Sequence, residues 1–157
     1  MQILVVDDEL SNRRTLEVLL KRSGYTVASA SNGNEALKRL EDSSFSVVIT
    51  DLRMPQMDGM TLLTRIKDQY PNLQVIMATA FGSIDTAVEA MKLGAWDFIT
   101  KPIKKAELLQ RLEKIAERDQ LQQENQQLRA EIARIRPNWI GQSLAMEQVS
   151  EEAQSVA

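Results

Sequence analysis

Short apolar runs alternate with stretches of helical spacing over most of the chain. The runs, rich in Val and Ile, cover residues 2–6, 25–29, 46–50, 74–79 and 97–100, and each has the length and residue types of a β-strand. Between them apolar side chains recur at helical intervals: Leu16, Leu19 and Leu20; Ala36, Leu37 and Leu40; Leu62, Leu63 and Ile66; Ala87, Val88 and Met91. Gly24, Gly33, Pro71 and Gly94 mark the turns and helix ends. Three of the strands are nearly continuous apolar runs, as strands covered by helices on both faces must be. Strict alternation of strand and helix with right-handed crossovers predicts an α/β fold, a doubly wound parallel sheet of five strands, which commonly takes the order 2-1-3-4-5.

The pattern changes after Pro102. From Ile103 to Arg136 there is neither glycine nor proline, and Gln, Glu, Leu and Arg dominate, which predicts one long helix. Such a helix reaches about 50 Å, and Pro137 ends it. Its distal part reads in heptads, with Leu121, Leu128 and Ile135 at d and Arg118, Asn125 and Ile132 at a. A lone Asn at a favours two parallel strands in one register, and Glu124 with Arg129 and Glu131 with Arg136 would attract across a parallel homodimer. Leu108, Leu112 and Ile115 lie on a different phase, suited to packing on the preceding domain. The competing expectation is a solvated single helix, or a face that docks on a further domain outside this chain. Residues 138–157 have the pattern of one amphipathic helix, too short to fold alone.

Composition removes several classes of chemistry. The chain has 157 residues, 43% hydrophobic and 26% charged, enough for a core without disulfides or metals. It contains no cysteine and no histidine, which excludes thiolate sites, His-ligated zinc and Ser-His-Asp triads. A net charge of -3 without a basic block argues against direct DNA binding. No run approaches the roughly 18 apolar residues of a membrane span, and the start lacks a signal-peptide pattern, so a cytoplasmic protein without membrane contact is expected.

Acids cluster at the strand ends. Asp7 and Asp8 directly follow the first strand and Asp51 follows the third; in the predicted order these strands are neighbours and flank the point where winding reverses. Three carboxylates in one crevice repel unless neutralised, and an oxygen-only donor set suits Mg2+. Thr79 and Lys101 reach the same edge from the fourth and fifth strands. Acids, a hydroxyl and an ammonium around a metal form a phosphoryl-transfer site, with Asp51 as acceptor.

These residues bring the sequence close to a known family. Val5-Val6-Asp7-Asp8-Glu9, Asp51-Leu52-Arg53-Met54-Pro55 with Asp58-Gly59, Thr79-Ala80 and Lys101-Pro102 resemble, in order and spacing, the receiver domain of two-component response regulators, over roughly residues 1–120. The resemblance implies a flavodoxin-like receiver fold and phosphorylation of Asp51 by a sensor histidine kinase. It also implies Mg2+ held by Asp8, Asp51 and the Arg53 carbonyl, with Asp7 on a metal-bound water. Lys101 and Thr79 would contact the phosphoryl group, and Phe98 matches the aromatic switch position that moves with Thr79. Arg53 and Phe81 stand where the family varies its rate of autodephosphorylation.

The stretch from Ala80 to Ile99 looks like the NtrC-like activators of sigma-54-dependent transcription. Trp139-Ile140-Gly141-Gln142-Ser143 with Ala145-Met146 and Val149 is similar to the opening of their AAA+ ATPase domain. The expected division is a receiver at 1–116, a coiled-coil linker at 117–137 and a truncated AAA+ start at 138–157. No GxxxxGK[ST] loop is present, so the expectation is a regulatory switch that catalyses its own phosphoryl transfer and dephosphorylation, not an ATPase. Sigma-54 RNA polymerase and DNA would be reached only through domains outside this chain.

Three alternatives stay open at this point. A HAD-like Mg-dependent phosphatase would need a second Asp two positions after its nucleophile, where Asp7 is followed by Glu9. A flavodoxin-like FMN binder would need a neutral, donor-rich phosphate loop. A dimerisation scaffold without a phospho-switch would not depend on Asp51.

Overall fold

The computed structural model describes residues 1–80 and 82–135. The elements follow in the order β1 (Gln2–Val6), α1 (Leu10–Arg22), β2 (Thr26–Ala30), α2 (Gly33–Asp42), β3 (Val47–Thr50), α3 (Gly59–Gln69), β4 (Gln74–Thr79), α4 (Ile84–Lys92), β5 (Asp97–Thr100) and α5 (Lys105–Ile135). The five strands pair in parallel in the order β2-β1-β3-β4-β5, as the alternating pattern predicts. The chain divides into two compact units, residues 1–112 and 113–157.

Burial follows position in the sheet. In the inner strands β1 and β3 every residue from Ile3 to Val6 and from Val47 to Thr50 is buried, and β4 is buried from Val75 to Thr79. The edge strands β2 and β5 are only half covered. On one face Leu4, Val6, Val48, Val75 and Met77 meet Leu62, Leu63 and Ile66 of α3 and Ala36 and Leu40 of α2. Filling that layer removes enough apolar surface, at about 25 cal/mol per Å2, to drive folding of this unit.

Local chemistry sets the helix ends. Asn32, Asp58 and Ser83 cap α2, α3 and α4 by accepting the N–H of Glu35, Thr61 and Thr86. Two helices end alike: the N–H of Tyr25 donates to the Leu20 carbonyl and that of Gly24 to Lys21, while Ala95 and Gly94 do the same with Ala90 and Met91. Gly24 and Gly94 have φ of 96° and 105°, the left-handed turn that such an ending requires. This moves the start of β2: Tyr25 was expected in the strand, but its N–H closes α1 and the ladder begins at Thr26. Likewise β3 begins at Val47, one residue later than the apolar run suggests.

α5 runs from Lys105 to Ile135 as one 31-residue helix. Leu108 and Leu112 are fully buried, whereas Leu121 and Leu128 are 65% and 56% exposed and Asn125 is exposed. The side chains of Ile132 and Ile135 and the whole stretch 138–157 lie outside the described residues, as does Phe81.

Candidate functional site

The ends of β1, β3, β4 and β5 converge at one sheet edge. β1 and β3 lie side by side with Val6 opposite Thr50, so the residues that follow them, Asp7 and Asp51, enter the edge together. The N–H of Asp51 donates to the Val6 carbonyl at 3.0 Å and the N–H of Asp7 to the Ala30 carbonyl at 3.2 Å, which extends the ladder one residue and fixes both carboxylates. Asp7 and Asp51 are 2% and 8% exposed, while Asp8, facing the other way from the pleat, is exposed. Carboxylate oxygens of Asp7, Asp8 and Asp51 nevertheless all lie within 4.8 Å of one another.

Lys101 closes the constellation. Its N–H donates to the Thr79 carbonyl at 2.9 Å, prolonging the pairing of β4 with β5, and its ammonium reaches Asp7 Oδ2 at 2.7 Å and Asp51 Oδ2 at 3.2 Å. Burial of the ammonium favours loss of its proton, but the hydrogen bond and charge of Asp7, then those of Asp51, outweigh it, so its pKa is raised above the ordinary lysine value. The other oxygens of Asp7 and Asp51 are also engaged. Asp51 Oδ1 accepts from the Leu52 N–H at 2.6 Å, and Asp7 Oδ1 accepts from the Glu9 N–H at 2.9 Å. Thr79 is wholly buried at the end of β4, and Phe98 is half-buried on β5, packed against the core layer.

Three contributors had no role assigned to them from the sequence. Arg13, on α1, donates from Nη1 to the Asp7 carbonyl at 2.7 Å and so ties the helix to the acidic turn. Gly59 starts α3 where a side chain would collide with the Asp51 carbonyl and with Leu52 Cα; its own N–H donates to the Leu52 carbonyl at 2.7 Å. Gln56 has φ of 72°, a left-handed conformation that costs a non-glycine residue about 1 to 2 kcal/mol. The Asp58-Gly59 dipeptide was a usable signal for the second. For Arg13 and Gln56 no local pattern announces the contact or the turn.

The donor set fits a divalent cation. Three carboxylates and one ammonium leave two uncompensated negative charges, and every available side-chain donor of the cluster is oxygen. That combination matches a hard ion such as Mg2+ and not a soft metal.

The model of the response regulator receiver domain matches residues 3–113. The chain belongs to the response regulator receiver family. Among curated proteins, the receiver is 43% identical over 114 residues to the transcriptional regulatory protein ZraR of Escherichia coli strain K12, covering 73% of this chain and 26% of that protein. The chain is 37% identical over 147 residues to the DNA-binding transcriptional regulator NtrC of Salmonella typhimurium, covering 94% of this chain and 31% of NtrC. Its fold matches the crystal structure of NtrX from Brucella abortus with a TM-score of 0.75 at 36% identity, over 81% of this chain and 29% of that one. The chain thus spans about a quarter to a third of the curated relatives it matches. The receiver is that of an NtrC-like response regulator, and the acidic cluster occupies the place where receivers bind Mg2+.

Proposed function

We propose that this receiver is switched by phosphorylation of Asp51. The observation that carries the reading is the Asp51 carboxylate itself: anchored on one oxygen by the Leu52 N–H and approached on the other by Lys101, at an acid-lined edge. In the transfer, an Asp51 oxygen forms a bond to phosphorus as the bond from phosphorus to the donor nitrogen of a kinase phosphohistidine breaks, and the departing imidazole keeps that electron pair and takes up a proton. Asp8, Asp51 and the main-chain carbonyl of Arg53 would hold Mg2+, with Asp7 on a water bound to it, and the ion would supply charge neutralisation for the phosphoryl oxygens. Lys101 exchanges an acid partner for a phosphoryl oxygen, and the Thr79 hydroxyl donates to another. As Thr79 moves, the Phe98 ring turns into the space it leaves, which biases a two-state equilibrium of α4, β5 and the start of α5.

A cavity of about 520 Å3 lies beside Lys101, lined by Asn12, Leu16 and Leu19 of α1 and by Ala80, Pro102 and Ile103. Its apolar floor beside the acceptor suits a helix of the sensor histidine kinase presenting the phosphohistidine. No helix among the described residues is long and apolar enough to cross a membrane. We place the protein in the cytoplasm, where such kinases have their transmitter regions.

The division into receiver (1–116), linker (117–137) and opening of an AAA+ domain (138–157) belongs to the same proposal. The linker joins two copies in parallel through Leu121, Asn125, Leu128, Ile132 and Ile135. The phosphorylation state thereby controls the ATPase of the full-length protein, which acts on sigma-54 RNA polymerase and DNA through its other domains. This chain is a switch that catalyses its own phosphorylation and dephosphorylation and turns over no other substrate.

The experiment is incubation of the full chain with a small phosphodonor and Mg2+, followed by mass spectrometry. One acid-labile phosphoryl group is expected on the wild type and none on Asp51→Asn. Labelling of the variant to the same extent refutes the assignment, and turnover of a phosphoester substrate would favour the HAD-like phosphatase instead.

A further inference from the structure

Gly82 occupies the point at which a single methyl group would touch both Thr79 and Phe98. Register places Met77 opposite Phe98 and Thr79 opposite Thr100, so Phe98 and Thr79 project from the same face of the sheet as diagonal neighbours. The connection from β4 to α4 then brings residue 82 over the gap between them. A Cβ there would lie 2.5 Å from Phe98 Cε1, 2.7 Å from Phe98 Cζ and 3.5 Å from Thr79 Cγ2. The last is an ordinary contact; the first two are closer than carbon atoms approach without one of them moving.

What a side chain at residue 82 meets first is the Phe98 ring, so the missing side chain matters for the space it leaves. What yields to a side chain is the ring. Phe98 is held along its main chain by pairing with β4, and its N–H donates to Asp97 Oδ1 at 2.7 Å. Asp97 in turn is ion-paired with Arg111. The ring is the free end of that residue, half-buried and able to rotate about its side-chain torsions.

We propose that Gly82 is a positioning residue of the switch: its missing side chain is the seat that holds the Phe98 ring against the β4–α4 connection in the unphosphorylated receiver. Any side chain at 82 evicts the ring from that seat and uncouples phosphorylation of Asp51 from the rearrangement of α4. The second clause rests on the reading of Thr79 and Phe98 as the switch pair; the seat itself rests on the packing alone.

Two measurements on the full chain test it. With ring-labelled phenylalanine, only three phenylalanines report, and Phe45, which precedes β3, is not among the side chains that a Cβ at 82 would meet. In unphosphorylated Gly82→Ala the Phe98 ring resonances should move while those of Phe45 stay, and the shift that a beryllofluoride mimic induces at Phe98 should fall below half its wild-type size. Phosphoryl incorporation at Asp51 should persist. The second measurement is a double-mutant cycle: Gly82→Ala should lower the folding equilibrium constant about fivefold or more when residue 98 is Phe, and by far less in a Phe98→Ala background, where the new methyl has room. Phe98 resonances unchanged by Gly82→Ala, or the same loss in both backgrounds, overturn the proposal. A wild-type chain that accepts no phosphoryl group refutes the reading of Asp51 instead, and the cycle still decides whether Gly82 seats the ring.

Discussion

At the C-terminal edge of the sheet the buried acids Asp7 and Asp51 find their partners within the chain, whereas the distal part of α5 carries Leu121 and Leu128 in solvent, seven residues apart. The first arrangement is closed on everything except charge: two negative charges remain, and they call for a small cation or for a phosphoryl group with its own counterions. The second leaves hydrophobic surface open, which the proposed parallel dimer would cover. The same chain thus shows two kinds of incompleteness, each naming the chemistry of what completes it.

The largest effect should come from removing the apolar side of that contrast. Replacing Leu121 and Leu128 together by Ala removes four side chains from the dimer and, at about 2 kcal/mol each, should weaken association by about 8 kcal/mol, well over a thousandfold in the dissociation constant, and yield monomers by sedimentation. Asn125→Leu should act in the opposite direction, tightening association while allowing stoichiometries other than two, because the buried amide no longer specifies register. A dimeric 1–116 fragment would move the principal contact to the receiver.

Removing the charge compensation at the acidic edge should cost less. Lys101→Ala leaves Asp7 and Asp51 facing each other with little solvent, and should destabilise the receiver by about 2 to 3 kcal/mol in denaturant titration without Mg2+. Because the folded-state pKa of Lys101 is raised, its contribution is fully present below the unfolded lysine pKa of about 10.4 and fades as the pH rises through the higher folded value. The gap between wild type and Lys101→Ala should therefore hold constant from neutral pH to about pH 10 and shrink above it.

Smaller still are the effects of backbone strain and of one capping acid. Gln56→Gly should stabilise by about 1 kcal/mol, since glycine takes a φ of 72° without penalty. Glu35, at the start of α2, accepts from the Ser31 N–H at 2.6 Å and from the Ser31 hydroxyl at 2.8 Å, and these bonds hold its pKa below the ordinary glutamate value. A lowered folded pKa means that its stabilisation is present above the unfolded pKa, about 4.3, and is lost as the pH falls through the folded one. Glu35→Gln should therefore cost below about 0.5 kcal/mol near neutral pH, after solvent screening, and nothing in strong acid.

Much of this was legible beforehand, for definable reasons. The alternation of runs indicated a parallel doubly wound sheet, and the order such sheets commonly take implied the meeting of Asp7, Asp8 and Asp51, because parallel topology brings the ends of neighbouring strands together. The separate engagement of Lys101 by Asp7 and Asp51 follows from the same topology. What escaped were features set by local turns or by single interatomic distances. Tyr25 reads as a strand residue by type, yet its N–H is spent on closing α1. Arg13 looks like any polar residue of an amphipathic helix until the helix is packed on β1. Gly82 reads as a loop glycine, and only the position of the Phe98 ring shows the space that it supplies.

The central claim is that the state of Asp51 is transmitted through Thr79 and Phe98 to α4 and β5. Amide hydrogen exchange on the full chain, with and without beryllofluoride and Mg2+, tests it most directly when wild type and Asp51→Asn are run side by side. The account predicts that exchange changes in the wild type around Thr79, from Ser83 to Lys92 and around Phe98, with α2 unaffected, and that the Asn variant shows none of it. Equal changes in both proteins, or no change at those segments in the wild type, would contradict it.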